Sequence, residues 1–234
     1  MSTEQSHELY FNFPIQLLEG FMLDSKKVLN SVSSYAIYAH ALTLGNGSEL
    51  LNIKDSASFF NIELISVKTT LDNGKVLYNS IPEGSPKVGL NLSIFWDFYK
   101  NDKTEFDKIC LLAFLGIKSI LGSKIYCKAT NLFLWSRMDG KAKAIDGIWD
   151  LSNEVSKYAN EYQTKKIKTA LINSWGLVHY SRHTRGFYVS FTLDLKKLIT
   201  EAEKRRKSTL EKHRKEHEKQ LLKEVLEHLK TTQP

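Results

Sequence analysis

Cysteine and proline are scarce in this chain of 234 residues, which has two of the first and four of the second. Cys110 and Cys127 are too few for a disulfide framework and lack the Cys-x-x-Cys or Cys/His spacing of a structural zinc site. One is expected to be a buried thiol and the other half-exposed. The prolines stand at Pro14, Pro82, Pro86 and Pro234, so nothing between residues 87 and 233 is obliged to break. No apolar run reaches the roughly 18 residues that cross a bilayer, and the polar start Met1–Tyr10 lacks the basic and apolar regions of a secretory signal. The expectation is a cytoplasmic protein with no membrane partner. The Gly-x-x-x-x-Gly-Lys phosphate loop and the Gly-x-Ser-x-Gly nucleophile turn are missing too.

What is present is ordinary for a chain that folds: 42% hydrophobic and 25% charged residues. At about 150 residues per domain, the length allows one large domain or two small ones. The net charge is +7, and most of it lies in the tail, where twelve cations face seven carboxylates between Lys196 and Lys230. A second basic concentration sits in the body. From Tyr162 to Leu193 there are Lys165, Lys166, Lys168, Arg182 and Arg185 and no acid at all. A surface of that kind suits a polyanion.

Apolar spacing organises the chain. Asp24-Ser25 can cap a helix bearing Val28, Leu29, Val32, Tyr35, Ala36, Ala39 and Leu42, ended by Gly45-Asn46-Gly47. Shorter helices fit residues 53–60 and 63–71, the latter stopped by Asn73-Gly74. The turn Pro82-Glu83-Gly84-Ser85-Pro86 between the β-prone runs 75–81 and 88–96 reads as a hairpin tip. The second half repeats that order. Thr104 can cap a helix with Phe106, Ile109, Cys110, Ala113, Phe114, Ile117 and Ile120 on one stripe. Ser152 can cap a short helix to Tyr158, residues 164–175 read as the next, and residues 177–180 and 187–193 as a hairpin around His183-Thr184-Arg185-Gly186. Lys68-Thr69-Thr70-Leu71-Asp72-Asn73 also lines up with Lys168-Thr169-Ala170-Leu171-Ile172-Asn173 at an offset of 100, with four identities, as a duplicated unit would.

Three helices and a hairpin are the arrangement of the winged helix, a helix-turn-helix variant whose third helix can enter the major groove. The expected fold class is therefore α+β, mainly helical. It comprises an N-terminal winged-helix unit over residues 1–99, a second over 100–195 with an insertion at 123–150, and a charged C-terminal helix over 196–234. Phosphates are met by cations and base edges by hydrogen-bonding groups. The candidate DNA-binding residues are thus Lys165, Lys166, Lys168, Thr169 and Asn173, outward on the third helix while Ile167, Ala170, Leu171 and Ile172 face inward. Arg182, His183 and Arg185 at the second hairpin tip join them, and Lys68 in the weaker first unit, which is expected to bind DNA weakly or to dimerise. The tail helix, about 50 Å long at ~1.5 Å per residue, has only Leu210 as a large apolar residue between Lys204 and Gln220 and regains apolar spacing at Leu221, Leu222, Val225, Leu226 and Leu229. That end is long enough for a docking or pairing contact.

Catalysis and metal binding have weaker support. His213 and His217 lie one helical turn apart without an evident third ligand. Asp139, Asp146 and Asp150, which a magnesium nuclease would need, are spaced as loop residues. No enzyme activity and no cofactor are expected.

Laid together, the two units resemble the tandem winged-helix replication initiators of plasmids, over about Leu23 to Leu195 and on element order, the Lys-Thr-x-Leu echo and the basic second hairpin. The resemblance implies that the C-terminal unit reads repeated origin sites in the major groove, with the reading helix at residues 165–173, and that the N-terminal unit contributes dimer and further DNA contacts. Lysine outnumbers arginine 27 to 6, a bias of AT-rich coding DNA such as that of a mobile element or phage. The expected function is a double-stranded DNA-binding protein, a replication initiator or transcriptional regulator of a plasmid or phage. The alternative is a protein-interaction or scaffold module whose winged helices contact protein and whose terminal helix docks a partner.

Overall fold

A computed structural model describes residues 8–45, 47–182 and 186–231, with side chains described as far as residue 224. The chain is mainly helical, with two small antiparallel sheets and a long terminal helix. Its first half begins with strand β1 (Tyr10–Pro14) and a 3-10 turn (Ile15–Leu18). Helix α1 (Ser25–Leu44) follows, where Asp24 accepts from the Lys27 amide at 2.9 Å and Gly45 closes the helix at φ 65°. Buried Leu29, Val32, Ala36 and Ile37 anchor α1 to the core. Ser48 caps α2 (Glu49–Phe59), and Ser66 caps α3 (Val67–Ser80).

Asn73-Gly74 is not a stop. A Cβ on Gly74 would lie 2.5 Å from the Tyr38 Cβ and 2.6 Å from the Ser34 carbonyl oxygen, so glycine here lets α3 touch the backbone of α1. The helix runs on to Ser80, and the strand expected over residues 75–81 does not form. The 82–86 turn instead leads from a helix into strand β2 (Lys87–Asn91), which pairs antiparallel with β1, Tyr10 opposite Asn91 and Pro14 opposite Lys87. Asn91 then caps α4 (Leu92–Lys100), whose Phe95 and Phe98 are buried. The first half therefore departs from the helix, helix, helix, hairpin order: the strand before α1 takes the edge that a hairpin partner would have used.

In α5 (Glu105–Leu121), Thr104 and Asp107 form a reciprocal capping box. The helix is buried almost all round from Ile109 to Ile117. It packs on α6, on β2 and the 3-10 turn of the first half, and on α8, so one apolar core runs continuously from Phe11 to Val189.

The stretch expected as an insertion at 123–150 is built into that core. Strand β3 (Cys127–Ala129) joins a sheet of order β3-β5-β4, and α6 (Asn131–Met138) buries Leu134, Trp135 and Met138. Cys127 is as buried as Cys110, not half-exposed, and burial pushes both thiols up to about 11. The helix expected after Ser152 shrinks to the single turn α7 (Asn153–Ser156). The helix expected over residues 164–175 starts three residues earlier, as α8 (Glu161–Ser174) capped by Asn160; Thr164 is buried inside it and accepts from the Trp135 indole N–H at 3.0 Å. Strands β4 (Val178–Tyr180) and β5 (Phe187–Ser190) follow, with β5 central between β4 and β3. Last comes α9 (Leu195–Thr231), capped by Asp194 and docked on β4 and β5 through buried Leu198 and Ala202. From Lys204 to Glu224 its side chains are exposed, Arg206 alone being half-buried. No helix among the described residues is long and apolar enough to cross a membrane.

Candidate nucleic-acid interface

Helix α8 lies with Ile167 and Leu171 against α5 and its other side in solvent. Successive residues turn by about 100°, which collects Glu161, Tyr162, Lys165, Lys166, Thr169, Ile172 and Asn173 on the exposed side. Lys165, Lys166, Thr169 and Asn173 thus share one face as expected. Lys165 and Lys166 have no ion-pair partner among the described residues. Lys166 also rests its ammonium 4.6 Å from the centre of the Phe106 ring, which directs it toward the α5 side of the helix.

Two positions on α8 differ from the expectation. Ile172, expected inward, is 45% exposed. Lys168, expected outward, turns inward: its ammonium donates to Asn131 Oδ1 at 2.9 Å and sits 3.4 Å from the centre of the Phe187 ring. Burial lowers its pKa to about 8. The cause is register, because residue 168 is one position from Ile167 and four from Thr164, both buried. Its echo Lys68 is exposed at the start of α3, so the repeated motif does not give its lysines equivalent surroundings.

The β4–β5 hairpin stands beside α8. On its core face Phe187 and Val189 are buried, and His179, opposite Val189, has its Nε2 buried without a hydrogen-bond partner among the described residues. Burial, and then the Lys168 charge, lower the His179 pKa to about 4. On the opposite face, Lys128, Tyr188 and Tyr180 form a row across the three strands. Gly186, at φ 101°, closes the hairpin against β3, where a Cβ would come within 2.7 Å of the Ala129 carbonyl oxygen. Of the hairpin-tip candidates, His183 and Arg185 lie outside the described residues. Arg182 is described, and its Nη1 donates to Glu203 on α9 at 3.2 Å.

Helix α9 supplies what the sequence reading kept apart from this site. Glu203 also accepts from the Tyr180 hydroxyl at 2.9 Å, which together with Arg182 fixes α9 along the hairpin at the end near its tip, and from Arg206 Nε within α9 at 3.0 Å. Arg206 is thereby placed beside Arg182, and Lys204, Arg205 and Lys207 surround it on the same turn of α9. Among the described residues Lys204, Arg205, Lys207 and Lys128 have no carboxylate partner. The signal for this was in the sequence: Leu198 and Ala202 are the last apolar pair at four-residue spacing before the basic run, and they mark where the helix leaves the sheet.

The weaker candidates are engaged elsewhere. Asp139 is buried and accepts from the Ser152 amide at 3.0 Å and from the Ser152 hydroxyl. Asp150 accepts from the amides of Asp146 and Gly147 at 3.1 and 3.3 Å, which closes the loop carrying exposed Trp149. His213 pairs with Glu216 along α9 at 3.6 Å. No group of three or more potential metal ligands occurs among the described residues. The arrangement offers cations and hydrogen-bonding side chains on a helix, a hairpin and a projecting helix, which can hold phosphates and meet base edges. No protein-family model, curated protein or solved structure matches the chain.

Proposed function

We propose that this chain binds double-stranded DNA, laying the exposed face of α8 in the major groove and the β4–β5 hairpin with the base of α9 along the phosphate backbone. One observation carries the reading: a helix face with Lys165, Lys166, Thr169 and Asn173, whose one acid is Glu161 in the first turn, stands beside a hairpin and a basic run whose cations outnumber nearby carboxylates. The order α5, β3, α6, α7, α8, β4, β5, with the single-turn α7 between the longer helices and the last strand central in the sheet, supports a winged-helix reading of the second half. In that reading α8 is the recognition helix and the β4–β5 hairpin the wing. The first half has a different strand arrangement, its strand β2 pairing with β1 from before the first helix, and Lys68 and a dimer surface form no part of this reading.

The biological role follows by analogy alone. A replication initiator or a transcriptional regulator of a plasmid or phage uses the same chemistry. Substituting Lys165→Glu together with Arg185→Glu is expected to abolish salt-sensitive retention of duplex DNA while the circular dichroism spectrum stays unchanged. Unchanged retention overturns the reading. The interaction-module alternative draws on exposed Leu210, Leu221 and Leu222 along α9. Removing the chain after Lys204 separates the two: loss of self-association or partner capture, with no DNA binding by the full chain, favours the alternative.

A further inference from the structure

Three donors from two elements converge on one carboxylate at the junction of the hairpin and α9. Glu203 Oε1 accepts from the Tyr180 hydroxyl at 2.9 Å, while its Oε2 accepts from Arg182 Nη1 at 3.2 Å and Arg206 Nε at 3.0 Å. One hydroxyl and two guanidinium groups around an oxyanion are a donor set that takes a phosphate oxygen pair as readily as a carboxylate. The site is near the surface: the Arg182 side chain is 54% exposed and that of Glu203 only 24%, so the cations reach solvent past the anion that joins them. Two positive charges meet one negative one, and Lys207 follows one turn beyond Glu203 on the same face of α9. The donors hold the Glu203 carboxyl below the usual carboxylate range, the Tyr180 hydrogen bond first among them, so the masking charge is present at neutral pH.

We propose that Tyr180, Arg182 and Arg206 form a binding site for a DNA backbone phosphate, and that Glu203 occupies it in the free protein as an internal stand-in for that phosphate. The proposal rests on the duplex-binding reading and adds to it a named phosphate site and the residue that masks it. Opening the site takes only a side-chain rotation of Glu203, a fast motion. The arriving phosphate takes over the three donors, and the expelled carboxylate must find solvent beside a polyanion, which opposes binding. Glu203 therefore weakens duplex affinity while keeping the two arginines aligned when no phosphate is bound.

The test uses the full chain and a fluorescently labelled duplex in anisotropy titrations across a salt series. Glu203→Gln keeps the size and the acceptor oxygen and removes the charge. The expected result is about five- to tenfold tighter binding at low salt and a slope of log affinity against log salt that is steeper by roughly 1. Arg206→Gln, which leaves Glu203 with Tyr180 and Arg182, is expected to change both quantities in the opposite direction, and it stands as the deciding variant should Glu203→Gln fail to fold. Adding Tyr180→Phe to Glu203→Gln is expected to remove part of the gain. Salt-sensitive binding by the natural chain that is unchanged or weaker in Glu203→Gln overturns the phosphate site and leaves the duplex reading standing. No duplex binding by any of these proteins overturns both.

Discussion

Lys168 and His179 show how much a single residue's surroundings decide. In the sequence Lys168 belongs to a basic run, and its ammonium is nonetheless held over the Phe187 ring and against Asn131, with a pKa near 8. Lys168→Met keeps the stem's apolar packing and removes a desolvated charge. It is expected to leave duplex affinity within about twofold of the natural chain and stability equal or slightly raised in urea unfolding, whereas Lys165→Ala on the exposed face is expected to weaken binding and flatten the salt slope by roughly 1. His179 gives a pH dependence. Its folded pKa of about 4 lies below the model-peptide value of about 6.5, so between those values the unfolded chain binds more protons than the folded one. Stability is therefore full above about pH 6.5 and falls as pH drops toward 4, by at most ~3 kcal/mol from this group. Urea titrations at pH 7 and pH 5 check it, and His179→Phe is expected to shrink the difference.

At the scale of elements, Gly74 decides the first half. Gly74→Ala places a methyl against Tyr38 and the Ser34 carbonyl where no flexible tip can yield, and is expected to cost more than ~2 kcal/mol in chemical denaturation despite the better helix propensity of alanine. The position also marks what was legible. Helix α1 was readable from Asp24 to Gly45 because cap, stripe and stop agree, and α5 was readable for the same reason. Asn73-Gly74 carries the local signature of a helix end while serving a tertiary contact with α1, and a strand pair between residues 10–14 and 87–91 has no short-range signature at all. The short strand β3 was equally silent, since three residues give no alternation to count. On the candidate interface, the face of Lys165, Thr169 and Asn173 was readable by helical periodicity. Which cations the acids of α9 would answer was not, because Glu203 meets Arg182 only once the hairpin and helix have packed.

Across the whole molecule, charge and shape diverge. The core is continuous and shared through α5, while α9 extends for 37 residues and buries only its first two turns. If its base is part of the DNA surface, cutting the chain after Lys207 is expected to preserve most of the duplex affinity, and cutting after Glu203 is expected to lose about tenfold or more at low salt, with an unfolding midpoint in both close to that of the full chain. Equal affinity after the two cuts removes α9 from the interface. Duplex binding underlies all of these expectations. Its most direct test is the affinity of the natural chain for duplex DNA over a salt series, with Lys165→Glu measured beside it. Log affinity is expected to fall with log salt at a slope of about −5, from roughly five to seven phosphate contacts, with a clear loss in the variant. Duplex binding that is absent, or that neither salt nor Lys165→Glu alters, contradicts the duplex reading.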